Sequence, residues 1–283
     1  MTKFLEYITE YQEREKYEGS RVKEITPKAA LHIIKTRASK ALAEYKKGKH
    51  ISRYTITARD IFFGFLDASK LPSRMSRNTL NYYTHIINDD SDWAKFPRRQ
   101  VIATYKDKRP FHDSGEFTIF PFDNTNIGVA EQDDLWNSFP VLRKHRHAGA
   151  QDFNQFIEKL LQKNGVAEGA DDSLASFKKA TKKFDEWYKK KKIALESDGE
   201  DIGEYMELIS YNMGRVGTQE WFFTEDYYTG NLYEDIKKVF STKNFKTMKP
   251  GQYSKAKQDN EVWFEGPAVY VNSNFVVSLL EGA

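Results

Sequence analysis

A single carboxylate opens the strand-like run "EVWF": Glu261 precedes Val262, Trp263 and Phe264, and the run resumes after Gly266-Pro267 as Ala268-Val269-Tyr270-Val271. Strands enrich β-branched and aromatic residues and deplete Glu. An acid in that place either sits on a solvent-facing edge, where it blocks strand-to-strand aggregation, or has a task. Other chemistries are poorly served. "RKHRHAG" carries His145 and His147, but an i, i+2 pair with no third ligand nearby is poor zinc spacing, and the flanking cations repel a metal ion. Asp133 and Asp134 in "EQDDLW" lack the alternating oxygen ligands and central Gly of an EF-hand, so they read as turn and cap acids. No metal site is expected. The chain has no GxxxxGK[ST] or GxGxxG phosphate cradle and no GxSxG nucleophile elbow, which argues against a P-loop, a Rossmann cofactor site and a serine hydrolase.

Composition narrows the class. With 283 residues, of which 20 are Phe, 16 Tyr and 5 Trp, the chain carries too much apolar surface to stay unfolded and enough length for one large domain or two ordinary ones. The absence of cysteine removes disulfides, thiolate nucleophiles and cysteine-ligated zinc together. The first twenty residues are charged at helical spacing with no apolar h-region, so they do not resemble a signal peptide. No run approaches the roughly 18 apolar residues of a membrane span. A soluble, cytoplasmic protein without membrane contact is expected. Lys plus Arg number 44 against 41 for Asp plus Glu, a net charge of +3, which by itself does not mark a nucleic-acid binder.

The elements that must carry Glu261 and its partners follow from periodicity and stop signals. "TPKAALHIIKTRASKALAEYKKGK" has Thr26 as N-cap, Pro27 at the first helical position, apolar residues at helical spacing and Gly48 as the stop, so residues 1–49 read as an N-terminal helical segment. "HISRYTITA" (50–58) switches to an alternating, β-branched pattern and is the first strand expected. A short helix follows from about Arg77 to Ile87, then a strand from Gln100 to Tyr105, then a third and fourth strand around a turn at Asp123-Asn124. From about 150 to 250 the pattern is mostly helical. Here eight lysines lie between Lys178 and Lys192, while Phe177, Phe184, Tyr188 and Leu195 recur on one helical face; the lysines then form a solvated face, or a docking surface for an acidic partner. Strand character returns at Glu261. The layout is α+β, with no regular βαβ alternation.

In that order, "ISRYT" (51–55), "PRRQVIATY" (97–105) and "DNEVWFEGPAVYV" (259–271) resemble the three scattered signatures of mono-ADP-ribosyltransferases: an Arg on the first core strand, a hydroxyl-bearing second strand, and a Glu opening a later strand. "SRMSRNTLNYYTHIINDDSDWAKFPRRQVIATY" and "FTIFPFDNTNIGVAEQDDLWNSF" are also similar to phage-borne proteins associated with this group. The resemblance covers about residues 50–140 and 255–272. It implies a split mixed β-sheet core within a 50–283 transferase domain, a helical insertion at about 150–250, and Arg53 and Glu261 on strands side by side across one cleft.

The resemblance also implies roles. NAD is the co-substrate, and breaking its nicotinamide–ribose bond develops positive charge on the ribose, which the Glu261 carboxylate stabilises. Arg53 supplies a planar fork for the pyrophosphate or its ribose, Thr104 orients Glu261 or the ribose, and Asp259 shares a strand face with Glu261 and helps present the acceptor. Tyr105, Phe111 or Phe117 flank the nicotinamide. The acceptor implied is a protein, a host protein in the host cytoplasm if the chain is phage-encoded. The rival reading is a non-catalytic nucleic-acid-binding or virion-associated structural protein. It rests on Arg74, Arg77, Arg98 and Arg99 among Tyr82, Tyr83 and Trp93, which can bind phosphates and stack bases.

Overall fold

The structure is a computed structural model that describes residues 22–54, 61–72, 74, 81–107, 115–144, 150–163, 172–212, 221–224 and 227–281. Its strands, in chain order, are β1 (Lys23–Glu24), β2 (His50–Tyr54), β3 (Phe63–Asp67), β4 (Val101–Lys106), β5 (Glu116–Pro121), β6 (Ile127–Val129), β7 (Lys246–Met248), β8 (Glu261–Phe264) and β9 (Pro267–Asn272). The helices are α1 (Pro27–Arg37), α2 (Ser39–Lys46), α3 (Tyr82–Asp89), α4 (Pro140–Lys144), α5 (Ala150–Lys163), α6 (Leu174–Ser197), α7 (Ile202–Asn212), α8 (Trp221–Thr224), α9 (Leu232–Val239) and α10 (Val276–Glu281). The α+β layout expected from the sequence is observed. No helix among the described residues is long and apolar enough to cross a membrane.

Two compact units divide the chain. The first comprises Met1–Arg74, Lys95–Leu135 and Phe245–Ala283, the second Met75–Ala94 and Trp136–Asn244. The nine strands among the described residues all lie in the first unit and form one sheet in the order β1-β3-β9-β5-β2-β4-β8-β6-β7. Every described pairing is antiparallel, so the expectation of a split, mixed sheet is corrected to one continuous antiparallel sheet. Strand alternation sends Val101, Ala103 and Tyr105 to one face, where they pack with Ile51, Ile119, Val262 and Phe264. The other face buries Phe120, Val269 and Val271 against Ala30, Ile34, Ala41 and Leu42 of α1 and α2 and against Val276 and Leu279 of α10. The helices of residues 27–46 therefore cover the sheet and share its core.

The helix expected after Thr26 begins as read: Pro27 is its first residue, and the Thr26 hydroxyl accepts from the Ala29 backbone at 3.2 Å. It breaks at Ala38 because a distant residue caps a second start. Asp123 accepts from the Ser39 hydroxyl (2.7 Å) and the Lys40 backbone (2.8 Å), taking up an N–H that an N-terminus leaves free. Gly48, at φ +86°, ends the pair as expected. The strands flanking Asp123-Asn124 exist, but they are not partners: β5 pairs with β2 and β9, whereas β6 pairs with β7 and β8. Strand β7 precedes Glu261 and was not expected, since three residues carry no readable alternation.

The second unit is an aromatic-rich helical body. Tyr82 stacks on Phe177 at 4.6 Å, and Phe139 and Phe153 meet Phe240 at 5.0 and 6.0 Å. Helix α6 is capped by Ser173, whose hydroxyl accepts from the Ser176 backbone, and buries Phe177, Phe184 and Leu195 as its spacing predicted. Tyr188 is half-buried, and Lys178, Lys179, Lys182, Lys183, Lys189, Lys190 and Lys192 are exposed.

Candidate functional site: a polar row across four strands

Cross-strand partners in an antiparallel pair project from the same face. Glu261 is the register partner of Thr104, Thr104 of Ser52, and Ser52 of Thr118. One carboxylate and three hydroxyls therefore form a single row across β8, β4, β2 and β5. Ser52 and Thr118 are buried, and the Thr118 hydroxyl lies 3.2 Å from that of Ser273.

The row ends in a saturated ion pair. Arg99 donates to Glu261 Oε1 from Nε at 3.0 Å and from Nη2 at 2.7 Å, and the Leu135 backbone N–H donates to Oε2 at 3.0 Å. Both side chains are nearly dry, at 12% exposure for Arg99 and 8% for Glu261. A carboxylate so enclosed requires a cation and hydrogen-bond donors, because leaving it bare costs several kcal/mol. The chain supplies them by wrapping "EQDDL" around the start of β8: Glu261 N donates to Gln132 O (2.9 Å), Ala130 N donates to Glu261 O (2.9 Å), and the Asn260 amide donates to Glu131 O (2.8 Å).

Trp263, two residues on and thus on the same face, is tied to the segment that carries Arg99. Its indole N–H donates to Pro97 O at 3.0 Å, and its ring lies over β6 at Gly128, where a Cβ would come within 2.1 Å of the indole. Only glycine allows that approach.

Several expectations need correction. Strand β8 lies between β4 and β6, so Glu261 is not an edge charge. Arg53 is not across a cleft from Glu261: β4 separates their strands, and Arg53 follows Ser52, so it projects from the opposite face, in register with Phe117. Period-two alternation leaves no other outcome. Asp259 is not on the strand; it sits in an exposed turn at φ +67° and pairs with Lys106 and the Gln258 amide. Tyr105 is buried to 2% exposure on the Arg53 face, edge-on to Tyr253 at 6.1 Å, and Phe117 is buried on that face too. Neither ring is offered to a ligand. Phe111 lies outside the described residues.

Of the seven expected site residues, Glu261 and Thr104 come together. Arg99, which does meet the carboxylate, stands out in the sequence only as part of a basic tract. The signal that could have found it is the buried acid's need for a fork-shaped cation. The rest of that tract does not form a base-stacking surface, since Tyr82, Tyr83 and Trp93 are buried, and Arg77 lies outside the described residues. His145 and His147 also lie outside them, and no group of three metal-binding side chains occurs among the described residues. Compared with known proteins, the chain matches no family model, no curated protein and no solved structure.

Proposed function

We propose that this protein is an NAD-dependent mono-ADP-ribosyltransferase acting on a protein acceptor, with Glu261 and Thr104 at its centre and Arg99 in the role expected of Arg53. The observation that supports it is the register: three segments chosen for their family resemblance are neighbouring strands, and Ser52, Thr104 and Glu261 fall in one row. In the reaction the ribose–nicotinamide bond breaks, nicotinamide leaves with the bonding electron pair, and the acceptor attacks the ribose carbon and gives up its proton. Glu261 faces the developing ribose cation, where a carboxylate stabilises the transition state more than the ground state. The reading requires Arg99 to exchange Glu261 for the substrate pyrophosphate, an exchange between two anions that a guanidinium binds by the same fork.

A second reading is favoured by the saturation of Glu261, whose two oxygens already have Arg99 and Leu135 as partners. In it the ion pair is structural, and the chain is a non-catalytic nucleic-acid-binding or virion-associated protein.

Labelled NAD incubated with the protein and cell lysate separates the two. The transferase reading expects nicotinamide release and a labelled protein band, loss of both in Glu261→Gln, reduced rates in Thr104→Val, and no change in Arg53→Ala, which alters the far face. Each variant is checked for folding by circular dichroism. Wild-type protein that releases no nicotinamide and labels nothing leaves the second reading standing.

A further inference from the structure

We infer that the exposed face of α6 binds the phosphate backbone of double-stranded DNA without reading its sequence. The face is built by helical geometry. With Phe177, Ala180, Thr181, Phe184 and Leu195 turned into the core, Lys179, Lys182, Lys183, Lys189 and Lys190 fall on the opposite side within about 120° of arc and span about 17 Å of axis. All five are exposed. The neighbouring cations of the helix are engaged: Lys178 lies 4.6 Å over the Tyr233 ring and 3.9 Å from Asp90, Lys191 lies 4.5 Å over the Tyr205 ring, and Lys192 is 3.8 Å from Glu196. The five have no ion-pair or ring partner among the described residues. Glu186 is the one acid amid them.

The composition of the face selects the ligand. Duplex DNA presents one charge per about 1.7 Å of axis, so a stretch as long as this face offers about ten phosphates to five lysines. Fork-shaped readout of base edges is the work of Arg on guanine and of Asn or Gln on adenine, and the five lysines share their face with no Arg, Asn or Gln; a Lys ammonium can meet guanine too, but as a point charge it serves any phosphate equally. Single strands are held by stacking on aromatic rings. The aromatic residues of α6 point away from this face: Trp187 packs on Phe184, and Tyr188 lies against Phe223 and Tyr228. Duplex RNA is recognised through its 2′-hydroxyls as well as its phosphates, and the five lysines have no hydroxyl or amide side chain among them. Charge alone remains, which suits the regular backbone of B-form DNA.

The test is fluorescence anisotropy of the full chain with a labelled 20-base-pair duplex at several salt concentrations. The inference expects binding at 50 mM salt, with a log–log salt slope of about −4 to −5 for five neutralised phosphates. Two duplexes of scrambled sequence should bind within about twofold, and a single strand of equal length more weakly. Replacing the five lysines by Gln should lower affinity about 100-fold or more at 50 mM salt, whereas replacing them by Arg should retain it. Absence of duplex binding by the wild type overturns the inference, as does wild-type affinity in a folded Gln variant. Tighter binding of duplex RNA, or of phosphatidylserine vesicles, would assign the face to that partner and overturn it equally. None of these readouts involves NAD, so the result stands apart from the transferase reading.

Discussion

Glu261 and the lysines of α6 carry charge under opposite conditions. In the sheet unit one carboxylate is almost dry and both of its oxygens have fixed donors, Arg99 and the Leu135 N–H. In the helical unit five ammonium groups stand in water with no described partner. The helical unit also shows that the difference is not one of residue type. Buried Asp90 holds Lys237 at 3.2 Å and accepts from the Tyr233 hydroxyl, and although burial alone would raise its pKa, these hydrogen bonds and the Lys237 charge bring it below the usual carboxylate value. A buried charge is an energy term of the fold because its partner cannot be removed without leaving it bare. An exposed charge contributes little to stability and acts at a distance, on whatever diffuses near.

The sharpest way to break that contrast is to remove the cation from the dry site. Arg99→Ala should cost about 3–5 kcal/mol, read as a shift in the urea midpoint of the tryptophan fluorescence transition, because it strands a buried carboxylate. Replacing both partners, Arg99→Met with Glu261→Leu, should recover most of that loss, since neither side then carries an unpaired charge. A single-variant cost below about 1 kcal/mol, the range of exposed pairs, would mean that the site is wet and the contrast false.

A smaller effect comes from proton binding. Burial pushes the His50 pKa down from 6.5 to about 4; a backbone contact at Gly48 pulls the other way, and the Lys106 ammonium adds to the fall. The unfolded chain therefore takes up the proton first. The contribution is fully present above pH 6.5 and is lost as pH falls towards 4, to a total of about 3 kcal/mol. His50→Phe, which keeps an aromatic ring against Tyr45, should flatten stability across that window. The lowered Asp67 and Asp90 titrate below it, so a slope that persists unchanged between pH 4 and 6.5 in the variant would assign the effect to another group.

The smallest change sharpens the contrast from the exposed side. Each Lys→Gln substitution among the five lysines of α6 should move stability by less than about 0.5 kcal/mol, even though together they are expected to abolish most DNA affinity. A thermal melt of the five-fold variant checks this. A loss of several kcal/mol would show that the lysine face belongs to the fold after all.

What the sequence determined by itself was local. Thr26, Pro27 and Gly48 bounded a helical segment, the seven-four-seven spacing of Phe177, Phe184, Tyr188 and Leu195 set which side of α6 the core takes, alternation marked β2 as a strand, and β-branched and aromatic content marked β4 and β8. Each of these needs only neighbours within a turn or two, where helical or strand periods hold regardless of the rest of the chain. What only the tertiary structure decided was parity and partnership. Alternation says that Arg53 and Ser52 face opposite ways, but which of them shares a face with Glu261 depends on the pairing of β2, β4 and β8 across 208 residues of chain, and a slip of one residue would have exchanged them. The break at Ala38 likewise waits on Asp123, 84 residues beyond Ser39. Arg99 reaches Glu261 from outside any strand, on a segment that the Trp263 bond to Pro97 also ties to β8. Contacts of that kind leave no period in the sequence, because the residues that make them are close only after the sheet has formed.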